Sequence, residues 1–206
     1  MVDYKRVKNH FKKVDPVIHQ VMQDLDFAVW LKPWVKKWRL SDYFRSLSRE
    51  LISQQLSTKA ADAIISRWEG LFADGKVSPH QALKIADAKL RSVGMSWGKV
   101  SYIKDLAEKF LDGSLKLNKL EQMADDEVID HLTQVKGIGP WTSEMFLIFT
   151  LGREDVFSHG DLGLRKAIIK LYRLRRVSPT RIEKIIAPWS PYKSYGSIAL
   201  WHSLEK

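Results

Sequence analysis

The residues best able to do chemistry in this 206-residue chain lie between Leu132 and Ile186. The first group is Leu132-Thr133-Gln134-Val135-Lys136-Gly137-Ile138-Gly139-Pro140-Trp141-Thr142, set between two helical patterns. One helix is expected to end at Val135, two glycines flank one apolar residue, and proline opens the next helix. Gly137 and Gly139 permit positive φ and the close approach of another backbone, while Ile138 can plug the turn into a core. Such a turn points amide groups of the hairpin and of the new helix's first turn outward, an arrangement that suits a phosphate. Gly-x-Gly by itself describes an ordinary helical hairpin equally well. The second group surrounds Asp161, which precedes Leu162-Gly163-Leu164 and by itself reads as a helix cap. The third group is cationic: Arg165, Lys166, Lys170, Arg173, Arg175, Arg176, Arg181 and Lys184 face a single acid, Glu183, between Gly163 and Ile186. Any one of these is an ordinary solvated residue, but so one-sided a block favours a polyanionic partner.

The elements that must position these residues are helical. Apolar residues recur at helical spacing, as in Ala61, Ile64, Ile65, Trp68, Leu71 and Phe72. The pattern predicts helices near 16–29, 41–55, 58–72, 78–83, 86–93, 98–111, 125–135, 140–151, 161–174, 178–187 and 192–204. Starts are marked by Ser57, by Asp125-Asp126-Glu127 and by Ser178-Pro179, with proline at the first helical position. The fold class is therefore all-α. No internal repeat supports a solenoid. The short polar turns Asp74-Gly75-Lys76 and Asp112-Gly113-Ser114 separate helices, and the second could divide two lobes. The whole of 1–206 is expected to be one domain, with one lobe formed by about 1–40 and 113–206 and the other by about 41–112.

Composition narrows the function. Thirty-four Lys and Arg against 24 Asp and Glu give a net charge of +10, which favours phosphate-rich partners because bound cations release condensed counterions. The absence of cysteine excludes a disulfide scaffold, a thiolate zinc site, a cysteine-ligated iron–sulfur cluster and a cysteine nucleophile. No apolar run approaches the ~20 residues of a membrane span, and the charged start lacks a signal peptide's apolar stretch. The expectation is a soluble, unexported monomer, cytoplasmic and nucleoid-associated or nuclear, with no membrane partner.

Several pieces resemble, in order, the helix-hairpin-helix DNA glycosylases, specifically the alkylbase (3-methyladenine) glycosylase II group. They are Leu51-Ile52-Ser53-Gln54-Gln55-Leu56-Ser57, Gly94-Met95-Ser96, Val135 to Met145, Asp155 to Ala167, and Pro188-Trp189-Ser190-Pro191-Tyr192-Lys193-Ser194-Tyr195. The resemblance covers about residues 40 to 205. It implies a two-lobed helical fold with the active-site cleft between the lobes, and a monofunctional enzyme that flips an alkylated purine out of double-stranded DNA and hydrolyses its N-glycosidic bond, leaving an abasic site for base excision repair. Asp161, 22 positions beyond Gly139, matches the aspartate that stabilises positive charge on the sugar. Ser158-His159-Gly160 departs from the usual Pro-x-Asp ahead of it, and His159 is either a loop residue or a participant. Lys136, Gly137, Ile138 and Gly139 would grip the DNA backbone. Trp141 stands where bifunctional relatives carry a Schiff-base lysine, so no lyase activity is implied.

Trp141, Trp189 and Tyr192 are the implied lining of the base pocket, with Trp38, Tyr43 and Phe44 as weaker candidates among 22 aromatics. Trp97 is either the wedge that fills the vacated stack or a cover for the lobe interface, and Lys99 is placed to meet a phosphate. Gln54 and Gln55 either touch DNA or bridge to the hairpin. The family implies no organic cofactor, but a sodium or potassium ion held by the Thr133, Val135 and Ile138 carbonyls. Alternatives are a glycosylase for deaminated or oxidised bases, a non-catalytic helix-hairpin-helix DNA-binding protein, and an unrelated all-α interaction protein.

Overall fold

The computed structural model describes residues 3–31 and 40–205, and among them no residue lies in a strand. Among the described residues thirteen α-helices follow one another: α1 Tyr4–Val14, α2 Pro16–Val21, α3 Phe27–Trp30, α4 Leu40–Ser53, α5 Thr58–Glu69, α6 Pro79–Lys84, α7 Asp87–Ser92, α8 Trp97–Leu111, α9 Asp125–Leu132, α10 Pro140–Phe149, α11 Leu162–Leu171, α12 Pro179–Ile186 and α13 Lys193–His202. No helix among the described residues is long and apolar enough to cross a membrane.

The chain divides into two compact units, 1–36 with 147–206 and 37–146. The first boundary lies near the expected residue 40. The second falls within α10, between Phe146 and Leu147, so 113–146 and the hairpin belong with the central segment and not with the C-terminal one. Val128, Leu132, Val135 and Ile138 of this segment are all buried.

In the first unit, α13 packs against α2, α3 and α11. Its core holds Phe11, Ile18, Phe27, Leu164, Ile168, Ile186, Trp189, Tyr195 and Ile198. Two local readings needed correction. Helix α1 falls in a stretch that the pattern left unassigned; Asp3 caps it through the Lys5 and Arg6 amides, and only Val7 and Phe11, one turn apart, are buried from it. The single helix expected over 16–29 is two, because Asp26 leaves the helical conformation and its carboxylate caps Ala28. The buried Asp15 carboxylate ties this unit together, accepting the amides of Val17 and Ile18, the Tyr172 hydroxyl and, at 2.8 Å, Trp189 Nε1.

In the second unit, α8 packs against α4, α6 and α7. Leu47, Leu51, Trp68, Leu90, Ile103, Leu106 and Leu132 form its centre. The caps follow the sequence: Ser57 accepts the Ala60 amide at the head of α5 and Ser96 accepts the Lys99 amide at the head of α8. At α9 the acids lie inside the first turn, and Glu127 reaches back to the Ala124 amide at 2.8 Å.

Candidate active site and nucleic-acid interface

The glycine turn is held from below by two helices of its own unit. Gly137 has φ +83°, and a Cβ built there would lie 2.3 Å from Tyr102 Cδ2, so the backbone sits directly on the α8 tyrosine ring. Its carbonyl accepts Gln54 Nε2 at 2.8 Å, and the same amide nitrogen lies 3.4 Å from Thr142 Oγ1 at the start of α10. Asp105, 6% exposed on α8, accepts the Lys136 amide at 2.9 Å and the Lys109 ammonium at 2.8 Å. The Lys136 ammonium is 3.5 Å from the same carboxylate. Burial pushes the Asp105 carboxyl up, but the donations from Lys109 and Lys136 outweigh it and hold the group below the ordinary carboxylate value. Ile138 is buried, as its plug role requires.

The two glycines are not equivalent. Gly139 does not have positive φ, and a Cβ there would meet nothing within 4 Å. Only Gly137 therefore needs to be glycine for the fold; the open face of Gly139 is where another molecule's backbone can come close. Its carbonyl accepts the Ser143 amide at 3.1 Å and so belongs to α10. Of the three carbonyls implied for a cation, that of Val135 also accepts the Ile138 amide at 3.1 Å. A carbonyl oxygen has a second lone pair, so this all-oxygen donor set fits a hard monovalent cation. Among the described residues no group of three or more His, Cys, Asp or Glu is placed to hold a metal.

Around this turn the remaining residues take distinct parts. Gln54 bridges to the hairpin, while Gln55 is exposed in the left-handed region at φ +59° just past α4. Lys99 does not present a cation to solvent. Its ammonium donates to the Ile52 and Gln54 carbonyls, each at 2.8 Å, and caps the end of α4; burial lowers its pKa. Two side chains stand out from the unit: Trp97, 61% exposed at the first position of α8, and Trp141, 42% exposed in the first turn of α10. Trp97 is preceded by a rigid loop, since Arg67 Nε donates to the Val93 carbonyl at 2.9 Å and Met95 is wholly buried. Tyr43 and Phe44 are core residues, Tyr43 with its hydroxyl 2.6 Å from Glu121. Trp38 lies outside the described residues.

In the first unit, Asp161 is the N-cap of α11 and is 8% exposed. Its Oδ1 accepts the Leu164 amide at 2.7 Å and Trp201 Nε1 at 3.3 Å. These donors fix the orientation of the carboxylate. Glycine at 163 matters to this geometry, because a Cβ there would come within 3.0 Å of Asp161 Oδ1. Trp201, tilted against Phe149 at 5.7 Å, is the aromatic beside the carboxylate, and the sequence analysis missed it. Only its position in the last helix, after Trp189 and Tyr192, could have drawn attention to it.

Trp189 is a correction to the expected base pocket. It is 0% exposed, bonded to Asp15 and packed on Phe11 and Phe157, and a Cβ on Gly196 would lie 2.4 Å from its ring. No face of it is left to receive a base. Tyr192 is also buried, against His10 and Tyr195. His159 is exposed, 5.1 Å from the Phe157 ring and 3.6 Å from Glu183, so it braces the loop to α12.

Two helices joined by a glycine turn, with a capped aspartate after the second helix, define a helix-hairpin-helix protein. Residues 48–191 match the family described as HhH-GPD superfamily base excision DNA repair protein, and the chain belongs to it. It is 34% identical over 162 residues to DNA-3-methyladenine glycosylase 1 of Schizosaccharomyces pombe, covering 77% of this chain and 71% of that one. It is 32% identical to the DNA-3-methyladenine glycosylase of Saccharomyces cerevisiae, over 93% of this chain and 77% of the relative. Among solved structures, that of a 3-methyladenine DNA glycosylase of S. pombe in complex with abasic DNA superimposes with a TM-score of 0.78 at 27% identity, covering 98% of this chain and 97% of the other.

Proposed function

We propose that this protein is a monofunctional DNA-3-methyladenine glycosylase, a hydrolase that removes alkylated purines from double-stranded DNA in base excision repair. The observation that carries the reading is Asp161: a nearly buried carboxylate, capped onto α11 and bonded to an indole, in a family of base excision proteins. As the bond from C1′ to the base nitrogen lengthens, its electron pair leaves with the base and positive charge builds on the sugar. The Asp161 carboxylate stabilises that charge. Water then adds to C1′ and gives up a proton, with Asp161 oriented to receive it, and the products are the free base and an abasic site.

An N3- or N7-alkylated purine carries a formal positive charge and departs as a neutral molecule, so it needs no proton donor. Electron-rich indoles add cation–π attraction of about 1–2 kcal/mol for such a base. Trp201, bonded to Asp161, supports this role in preference to the buried Trp189, and Trp141 carries an exposed indole at the head of α10. The hairpin residues Lys136, Gly137, Ile138 and Gly139 hold the DNA backbone, and a sodium or potassium ion on the Thr133, Val135 and Ile138 carbonyls would add a positive charge facing a phosphate. Trp97 fills the gap left by the flipped base.

The test is base release from duplexes each carrying one defined lesion. Release of 3-methyladenine and 7-methylguanine is expected, with the abasic product uncut until alkali is added and no borohydride-trapped adduct, because Trp141 cannot form an imine. Failure to release any alkylated purine, or a trapped covalent complex, would overturn the reading.

A further inference from the structure

Helix α11 ends with an unusual residue. Leu174 donates its amide to the Ile169 carbonyl at 3.0 Å, five residues back, which is the bond that closes a helix through a left-handed residue. That residue is Arg173, at φ +52°. Glycine is the usual occupant there, and a side chain with a Cβ costs about 1–2 kcal/mol. Strain kept at a position that a simpler residue would fill better points to a use for the side chain.

The surroundings indicate the use. Lys166 and Lys170 precede Arg173 by seven and three residues, so the three share one stripe of α11 and its end, opposite the buried Leu164, Ala167 and Ile168. Arg175 and Arg176 follow in the connection to α12. Arg181 and Lys184 lie on the face of α12 opposite the buried Ile182 and Ile186. All of these except Lys170, which donates to the Ser203 carbonyl, are exposed without a hydrogen-bonded or ion-paired side chain among the described residues. Cations gathered in this way repel one another, and Glu183 is the single acid between Gly163 and Ile186.

We infer that the α11–α12 segment is a second, sequence-independent contact surface for the DNA backbone, with Arg173 at its centre. The inference rests on the reading of the chain as a DNA glycosylase. Asp161 caps the start of α11, and Arg173 follows the helix's end, about 15 Å away along the axis. At that distance the surface is out of reach of a base held beside Asp161, so any contact it makes is with the backbone. Arginine suits the task because its planar, permanently charged fork pairs with phosphate oxygens in two directions. Phosphate contacts position the duplex and read no sequence.

The experiment uses the full chain and a 25-base-pair duplex, with affinity measured by fluorescence anisotropy over a range of salt concentrations and folding by thermal melting. Arg173→Gly should raise the melting temperature, since strain is relieved, and yet weaken binding up to about eightfold at 0.1 M salt, the worth of one phosphate contact. Arg175→Gln with Arg176→Gln should make the log–log salt slope shallower by about 1.8. Lys12→Gln with Lys13→Gln removes the same charge from the end of α1 and should leave the slope unchanged. Unchanged affinity in Arg173→Gly, or an equal loss of slope in the Lys12 and Lys13 variant, overturns this inference and leaves the glycosylase reading standing. A wild-type protein that does not bind duplex DNA at all overturns that reading instead.

Discussion

Replacing Gly137 by alanine isolates the energetics of the glycine turn. Two costs arise. The left-handed φ of +83° is strained by about 1–2 kcal/mol once a Cβ is present. That Cβ would also lie 2.3 to 2.6 Å from three atoms of the Tyr102 ring, which must shift, and overpacking of this kind costs a further 1–3 kcal/mol or so. Urea unfolding should therefore show a loss of about 2–5 kcal/mol. In a Tyr102→Ala background the ring is gone and only the backbone strain remains, so the same substitution should cost about 1–2 kcal/mol, leaving a coupling of about 1–3 kcal/mol. Gly139→Ala meets nothing within 4 Å and has no positive φ, and should stay within about 0.5 kcal/mol of wild type. Because Gly139 is the open glycine, a bulky β-branched residue there should weaken binding to damaged and undamaged duplexes alike without loss of stability. Equal costs for Gly137→Ala in both Tyr102 backgrounds, or a large stability loss in Gly139→Ala, would refute the reasoning.

Asp161→Asn keeps the shape of the cap and removes its charge. Base release should fall by orders of magnitude while folding and duplex affinity persist; release within a few-fold of wild type would end the catalytic assignment. Trp201→Phe removes the Nε1 donor to Asp161 but keeps a ring, and single-turnover release should slow about tenfold with the melting temperature little changed. Trp97→Ala should not affect folding, since the side chain is 61% exposed, and should slow excision from paired duplex much more than from single strands or mismatched lesions; equal losses on all substrates would remove the wedge. Asp105→Asn should lose about 2 kcal/mol near pH 7, because charged hydrogen bonds to Lys109 and Lys136 disappear. The Asp105 carboxyl ionises below its ordinary value when folded, so its contribution is present above about pH 3.9 and fades as pH falls through the lowered folded-state value. Denaturation curves of the two proteins should converge there, and a gap that persists in acid would show that the charge is not what matters.

What the sequence by itself determined is local. Caps and periodicity depend on residues within a turn of one another, so Ser57, Ser178-Pro179 and the proline after Gly139 marked helix starts where they occur. Asp161 was legible twice over, as a cap and by its motif, and the hairpin by its glycines. Helix α1 was not, because lysines dominate it and one apolar pair is a weak signal. What only the tertiary structure decided is the use of side chains whose partners are remote in the chain. Trp189 and Trp201 look alike as residues; Trp189 is drawn into the core by Asp15, 174 positions away, whereas Trp201 reaches Asp161, 40 positions away. Lys99 reads as a phosphate ligand until the carbonyls of Ile52 and Gln54 claim its ammonium. Gly137 and Gly139 are the same residue in one motif, and the positive φ and the Tyr102 ring beneath the first set it apart. Long-range contacts assign these roles because desolvation leaves a buried polar group no partner except the one that packing brings to it.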